Sequence, residues 1–555
     1  MRETNMKKAI SMSKLLPVVA LALASLFTAT AHAAAPGIKG QSFALTAQTA
    51  YLTQPDGQSI YSWGYGCAST FTPAFAPQPG GANLANAKCP LMQVPGPTLI
   101  VTENQTVTVT LKNNLPASAG NTSILFPGFT LQPFTDGTPG LLTQEAAPGA
   151  TVTYSFTAGT PGTRAYYSGT QGDLQVEMGL YGAIIVLPSQ TATFSNCNTT
   201  VTNLYGKQTA GPAPESDFRL AVAAYDHPQT CYDREYLFQF SEIDPNIHTQ
   251  ALAQVKAANC TPVGKPPVLP STCNLNVPTE PYHPNYFLIN GRSMPDDMDP
   301  NYAIQYPHQP YNGNPHMHPG ELTLIRVIGQ GRWQHPFHEH GNHVRILGRD
   351  GNLILSASDA TKLAGPLQFT TTTTPGMAFD GIFYWTAKGL NWDAYGHTPS
   401  SKDTNATLPC TPDLNGYNTG VAAQTAINYY EWCQDHNKPV QAAPFGDVAA
   451  GGPVTLPDPN LFTNGAWYGG SPYLGPDATL RATGCTAGAP AGSCGATGST
   501  PPSGTIANSP SGEAGFAFMW HSHNEREITT NNIFPGGMLM MMLVDSREFV
   551  IDESN

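Results

Sequence analysis

The strongest constraint on the fold is an alternation of period two. Residues 99–115, LIVTENQTVTVTLKNNL, alternate apolar and polar side chains and end in Asn-Asn. Period two sends successive side chains to opposite faces of a strand, which suits a half-buried sheet. Residues 150–158, ATVTYSFTA, repeat the pattern, and residues 179–188, GLYGAIIVLP, form the continuous apolar run of a buried strand. A second set follows: residues 218–226 (FRLAVAAYD), 286–294 (YFLINGRSM), 321–329 (ELTLIRVIG), 344–351 (VRILGRDG), 378–385 (AFDGIFYW) and 537–545 (GMLMMMLVD). Only residues 250–258 and 420–434 carry a helical pattern. With 54 Gly, 51 Pro and 11% charged residues punctuating these runs, the chain reads as an all-β protein with long loops.

The two sets of runs predict more than one domain in the 555 residues. One spans residues 36–190, a polar linker covers 191–217, and a second spans 218–552. Between about 386 and 512 the strand runs give way to a Gly/Pro/Asn-rich stretch. It is expected to be an insertion, with a third small domain as the alternative.

The first 33 residues predict a secretory signal peptide. Arg2, Lys7, Lys8 and Lys14 precede the apolar run LLPVVALALASLF, and Ala31-His32-Ala33 has the small-x-small pattern of a cleavage site. Thirteen apolar residues are too few to span a bilayer. No transmembrane segment is expected, and the mature chain is expected in the periplasm or outside the cell, cleaved after Ala33. Ten cysteines fit an oxidising compartment. They fall into five sequence-near couples, 67/89, 197/231, 260/273, 410/433 and 485/494, and local disulfides are the simplest pairing. The formal charge of −13 becomes about −16 once four bases and one acid leave with the signal, so nucleic acid is excluded as a partner.

Six of the 15 histidines lie in HPFHEHGNH, residues 335–343, and HSH, residues 521–523. On a strand, His338 and His340 share a face, and so do His521 and His523. If the two strands are neighbours, four imidazoles converge, a donor set that suits copper, zinc, iron or nickel. Glu339 points the other way. Glu525 and Glu527 read as a solvated loop, and His316 and His318, in NPHMHPGE, read as another. The methionine run 538–542 reads as a core strand rather than a soft-metal site.

These residues carry a resemblance to the multicopper oxidases, the laccase-like family of cupredoxin-fold proteins. HPFHEHGNH resembles the family's HPxHLHGH, and MWHSHNEREITTNNIFPGGM, residues 519–538, resembles its HCHxxxH...GM. Framework resemblance extends to DGTPGLLTQEAAPG and GLYGAIIV in the first half and to NYFLINGRSM and HPGELTLIRVIG in the second. It implies two cupredoxin-like Greek-key β-sandwiches, the second interrupted by the insertion. It also implies copper at His335, His338, His340, His521 and His523. The match is incomplete. Ser522 stands where the family has the thiolate of its blue copper, and Glu527 falls near that centre's second histidine; only His335 and Met538 remain of its ligands. In the first half, Leu125-Phe126-Pro127-Gly128 and Tyr167-Ser168-Gly169 stand where the family has HWHG and HSH.

The resemblance therefore implies a secreted copper-binding oxidoreductase with an incomplete complement of one or two copper ions, zinc being the alternative metal. The implied electron donor is a small molecule or a metal ion, and a homo-oligomer is allowed. The competing expectation is a non-enzymatic copper-binding or structural cupredoxin of the envelope.

Overall fold

The computed structural model describes residues 35–76, 87–189, 218–386 apart from 266–267 and 319, 410–419, 432–435, 470–474 and 514–545, with Phe194, Cys197, Lys388 and Ile551. The structure is built almost wholly of strands, in two successive pairs of packed sheets.

In the first pair, a four-stranded sheet has the order Ser59–Cys67, Ser42–Thr53, Thr106–Asn113, Thr151–Thr157. It faces a five-stranded sheet ordered Gly162–Tyr167, Tyr181–Leu187, Leu99–Thr102, Gly37–Lys39, Phe75–Ala76. The alternating run 99–115 is thus two strands in two sheets. Asn104, at φ 66°, turns the chain between them, a left-handed conformation that asparagine tolerates better than most residues. Phe43, Leu45, Trp63, Val107, Val109 and Leu111 of one sheet meet Leu99, Val101, Ile184 and Val186 of the other in a shared core.

In the second pair, a seven-stranded sheet runs along Tyr286–Ile289, Arg234–Ile243, Thr323–Gly329, Ala378–Phe383, Val344–Arg349 and Asn352–Leu353, with Leu367–Gln368 as a side branch. The six-stranded sheet opposite follows the order His316–Met317, Leu539–Asp545, Ala514–Ser522, His335–Glu339, Thr370–Thr373, with Gly470–Leu474 beside Ala514–Ser522. Tyr236, Phe238, Phe240, Val327, Phe337, Phe379, Trp520 and Met538, Met540 and Met542 fill the space between them. The methionine run is core, and its strand pairs with Ala514–Ser522 from Gly515↔Asp545 to His521↔Leu539.

Residues 218–226, expected as a strand, form bends instead. Three of their backbone N–H groups go to side chains, Ala221 N to the Tyr232 hydroxyl at 3.1 Å, Tyr225 N to Thr230 Oγ1 at 3.2 Å and Leu220 N to Glu235, and strand-like pairing is limited to an isolated bridge, Ala223↔Cys231. The ladder begins later, at Arg234–Ile243, whose ten residues are all buried. The helix expected at 250–258 is Pro245–Ala257, longer at its start. Asp244 caps it by accepting from Asn246 N at 2.9 Å, and proline follows at the first turn. The helix packs Ile247 and Ala251 into the core of the first sheet pair. The second helical candidate, 420–434, lies almost wholly outside the described residues, as does most of the insertion.

The two pairs meet where the Gly162–Tyr167 strand crosses Ala378–Phe383 and Thr323–Gly329. Ala165, Ala183 and Ile185 pack there with Leu237, Ile328 and Ala378. Arg326, fully buried, contacts Glu235 at 2.9 Å and Asp380 at 3.3 Å, and Asp380 also accepts from Thr163 Oγ1 and Tyr225 Oη, both at 2.6 Å. Among the described residues four disulfides are present, Cys67–Cys89, Cys197–Cys231, Cys260–Cys273 and Cys410–Cys433, and no described cysteine is free. Cys485 and Cys494 lie outside the described residues. No helix among the described residues is long and apolar enough to cross a membrane.

Candidate metal centre

The strands His335–Glu339 and Ala514–Ser522 are antiparallel neighbours, with Phe337↔Ser522, His338↔His521 and Glu339↔Trp520 opposed. Alternation sends Phe337 and Trp520 into the core, so His338 and His521 take the opposite face. His340 and His523 lie just past the ends of their strands. Gly341, at φ 104°, turns the chain after one, and His523 N donates to the Pro336 carbonyl at 2.7 Å beside the other.

Four imidazoles are brought together. Ring centroids lie 4.6 Å apart for His338–His340, 5.7 Å for His338–His521, 5.0 Å for His338–His523, 5.2 Å for His340–His521 and 5.4 Å for His521–His523. The Nε2 atoms of His340 and His521 are 3.2 Å apart. Two nitrogens sharing a tetrahedral ion at 2.0–2.1 Å lie about 3.3 Å apart, so this pair already has the right bite. No three His, Cys, Asp or Glu side chains among the described residues are arranged about one point as a finished cage. The rings are gathered on two paired strands without forming such a cage.

Hydrogen bonds fix which nitrogens are on offer. The His521 Nδ1 lies 2.7 Å from the Ser522 carbonyl. A carbonyl only accepts, so Nδ1 carries the proton and Nε2 of the neutral ring keeps its lone pair. His340 Nε2 must then donate across the 3.2 Å contact. His338 Nδ1 meets Thr370 Oγ1 at 2.7 Å, which leaves its Nε2 as the outward donor atom. Burial, then the neighbouring His521 and His523, push the His338 pKa down to about 4, and burial also lowers that of His521. Uncharged imidazoles are the ligating form. Phe369, half exposed, packs edge-on against His338 at 5.7 Å and His343 at 5.1 Å.

His335, which the resemblance implied as a ligand of a separate copper centre, stands apart from the four rings with both ring nitrogens against carboxylates. It is fully buried, with Nε2 3.0 Å from Glu242 and Nδ1 2.9 Å from Glu527. Burial pulls its pKa down, but the two carboxylates outweigh it and hold it up, to about 9. Ser522 Oγ donates to the same Glu527 oxygen. The position of the family's thiolate is therefore a serine hydrogen-bonded to a carboxylate, and Met538 belongs to the core.

Other expectations need revision. Glu527 is buried, not a solvated loop residue, whereas Glu525 is 77% exposed. The turn Glu525–Ile528 is a 3-10 helix, so residues two apart no longer share a face. His316 and His318 are buried too. His316–Met317 pairs with Leu543 and Val544, and His318 N donates to Glu321 at 2.7 Å. Glu339 points away from His338 and His340 as expected, but into the interior rather than to solvent: it accepts from Thr371 Oγ1 at 3.0 Å, and burial pushes its pKa well up. In the first half, Leu125 and Tyr167 face each other across a bridge, Phe126 is in the core and Ser168 donates to Gln175 at 2.7 Å. Sequence reasoning missed Glu242, Thr370 and Phe369. Only Thr370 left a signal, the unused strand-like run TTTTT at 370–374.

A family model for multicopper oxidases matches residues 91–191. Over 100 residues the chain is 36% identical to multicopper oxidase MCE of Talaromyces pinophilus, covering 18% of this chain and 16% of that protein. It is 37% identical over 103 residues to laccase 1 of Metarhizium acridum, with the same two shares. It is 37% identical over 93 residues to copper resistance protein A of Pseudomonas syringae pv. tomato, covering 17% and 14%. The chain thus aligns to less than a fifth of the length of these curated relatives. Similar solved structures include the multicopper oxidase mgLAC, at 14% identity, TM-score 0.40 and coverage of 92% of this chain and 88% of that one. The blue copper oxidase of Nitrosomonas europaea stands at 14%, 0.39, 91% and 85%.

Proposed function

The chain being a member of the cupredoxin-fold multicopper oxidase superfamily, we propose that it is an exported copper-binding oxidoreductase with a reduced copper complement. His338, His340, His521 and His523 are its metal ligands. The carrying observation is the convergence of these four rings from two paired strands, with two Nε2 atoms 3.2 Å apart. The domain division at 36–190 and 218–552 follows the two sheet pairs. Cleavage after Ala33 and a periplasmic or extracellular location belong to the same reading.

The donor set fits copper, since imidazole nitrogen is a preferred ligand of that ion and zinc is the competitor. A copper ion held here would supply one-electron chemistry with an open coordination position. The chain's own residues do the rest. Thr370 and the Ser522 carbonyl orient His338 and His521 through Nδ1. His340, whose Nε2 faces His521, would carry its proton on Nδ1 to offer Nε2 to the ion. Phe369 shields the His338 ring from one side. The electron donor in this reading is a small molecule or a metal ion.

A second reading, a non-enzymatic copper-binding envelope protein, is favoured by the rebuilt pocket at His335. The thiolate position holds Ser522 and no second redox centre stands beside the cluster among the described residues.

Titration of metal-free protein with copper tests the first reading. One or two ions should bind without a strong blue band, with the spectrum of nitrogen-coordinated Cu(II). His338→Ala combined with His523→Ala should abolish tight binding, and His316→Ala with His318→Ala should not. Unchanged binding in the first double variant would sink the assignment. Turnover of an electron donor by the loaded protein separates the oxidoreductase from the binding protein.

A further inference from the structure

The two histidine-bearing strands are joined by a short ladder of three opposed pairs. Three pairs hold a register weakly against fraying, yet the geometry of the four imidazoles depends on that register. One more backbone bond follows, from His523 N to the Pro336 carbonyl at 2.7 Å, and beyond it the tie is made of side chains. His335 opens one strand, Ser522 closes the other, Glu527 follows it in the Glu525–Ile528 turn, and Glu242 stands on the Arg234–Ile243 strand of the facing sheet.

Every polar atom of this tie is engaged. Glu242 Oε1 accepts from Arg332 N at 2.6 Å and Trp333 N at 2.9 Å, with Tyr282 Oη 3.2 Å away, while Oε2 meets His335 Nε2 at 3.0 Å. Glu527 Oε2 meets His335 Nδ1 at 2.9 Å and accepts from Ser522 Oγ, and Oε1 accepts from Asn524 Nδ2 at 2.9 Å. Each carboxylate is surrounded by donors, so both ring nitrogens of His335 must donate. A nitrogen that donates has no lone pair for a metal. Removing a cation from between two buried carboxylates would leave both uncompensated. The tie also reaches the first sheet pair, because Tyr282 Oη donates to Glu177 at 2.7 Å and Glu177 Oε1 accepts from Asp244 N at 2.7 Å. Arg332 lies over the Tyr282 ring at 4.1 Å.

We infer that His335 is a strand clamp and not a metal ligand: held between Glu242 and Glu527, it fixes the register of the two strands that present His338, His340, His521 and His523. His335, Glu242 and Glu527 are positioning residues for a site that they do not touch. This rests on the proposed copper site for its consequence, while the clamp itself rests on the hydrogen bonds alone.

Histidine-selective 15N NMR of the wild-type protein tests the clamp directly. His335 should show two protonated ring nitrogens at neutral pH, and both should survive addition of zinc, a diamagnetic stand-in, while signals of the four cluster histidines move. Loss of a His335 nitrogen proton on adding zinc makes it a ligand and overturns the clamp. The positioning role is read from E527Q and H335Q. Copper stoichiometry should be unchanged, copper affinity should fall about tenfold or more, and the Cu(II) hyperfine splitting should shift. Wild-type affinity and splitting in E527Q would overturn the positioning role, as would the loss of one copper equivalent in H335Q. If H335Q does not fold, E527Q and the wild-type spectrum still decide. If the wild type binds neither copper nor zinc, the copper site fails, and the two nitrogen protons of His335 still decide the clamp.

Discussion

One pair of strands carries histidines on its two faces, and the two environments do opposite things to the same side chain. On the outer face, His338 has other imidazoles, Thr370 and Phe369 beside it, and burial with His521 and His523 depresses its pKa to about 4. At the inner end, His335 is more deeply buried yet lies between two carboxylates and is raised to about 9. Burial alone disfavours the charge in both places; what differs is whether anions are in reach. The outer cluster is a set of neutral donors awaiting a cation. The inner cluster already contains its cation.

The largest expected effect tests the inner cluster. Glu242→Ala leaves His335 and two backbone N–H donors without their acceptor and should destabilise the protein by about 3–5 kcal/mol. His338→Ala, on the outer face, should cost about 1 kcal/mol, the common value for a single substitution. Urea unfolding of both variants without metal measures the difference. Equal losses would erase the contrast between the faces.

The second effect is the pH dependence of metal-free stability, where the two histidines have opposite signs. The folded pKa of His335 lies above its unfolded value of about 6.5, so its contribution is complete below about pH 6.5 and is lost as pH rises through about 9. The shift corresponds to about 3 kcal/mol. His338 has a folded pKa below the unfolded one, so the unfolded chain takes up the extra proton. Stability therefore falls as pH drops below about 6.5 towards 4. These two groups together place maximal stability near pH 6.5. Denaturant midpoints at pH 5, 6.5 and 9.5 check this, and His335→Gln should flatten only the alkaline limb.

How much of this was legible in the sequence follows the same division. Alternating runs and continuous apolar runs found the strands at 151–157, 181–187, 323–329 and 539–545 because their hydrogen bonds go to neighbouring strands. They failed at 218–226, where side chains take three of the backbone N–H groups instead, and they missed Asn104 as the point where one run enters two sheets. Four of the five metal candidates converge because two-residue spacing on paired strands fixes their face. His335 differs because its partners, Glu242 and Glu527, lie 93 and 192 residues away in sequence. No local pattern reports a contact between strands of facing sheets.

A smaller effect sharpens the reading of the outer face. Thr370→Val keeps the shape of the residue and removes the hydroxyl that holds His338 Nδ1 at 2.7 Å. The loss in stability should be about 1 kcal/mol, and copper affinity should fall by about tenfold as the imidazole loses its fixed orientation. Calorimetric titration of the variant with copper, compared with Thr372→Val on the same strand, isolates the hydrogen bond. Equal affinities in the two variants would show that ring orientation does not depend on Thr370.

The smallest effect is expected two residues from one of the largest. Glu525 and Glu527 occupy the same short turn and look alike in sequence. The 3-10 geometry exposes the first and buries the second. Glu525 reaches His523 at 3.8 Å, but the side chains are 77% and 53% exposed, and water screens such a pair almost completely. Glu525→Gln should leave the denaturant midpoint unchanged within error. It should change copper affinity less than about threefold, because it removes one distant charge and no hydrogen bond to a ligand. Glu527→Gln should unfold at a lower denaturant concentration and bind copper more weakly. If Glu525→Gln proves the more damaging, Glu525 is a partner of the bound metal and His523 has moved inward on binding. The outer face would then need a carboxylate, and the contrast of neutral donors against a filled ion cluster would no longer hold.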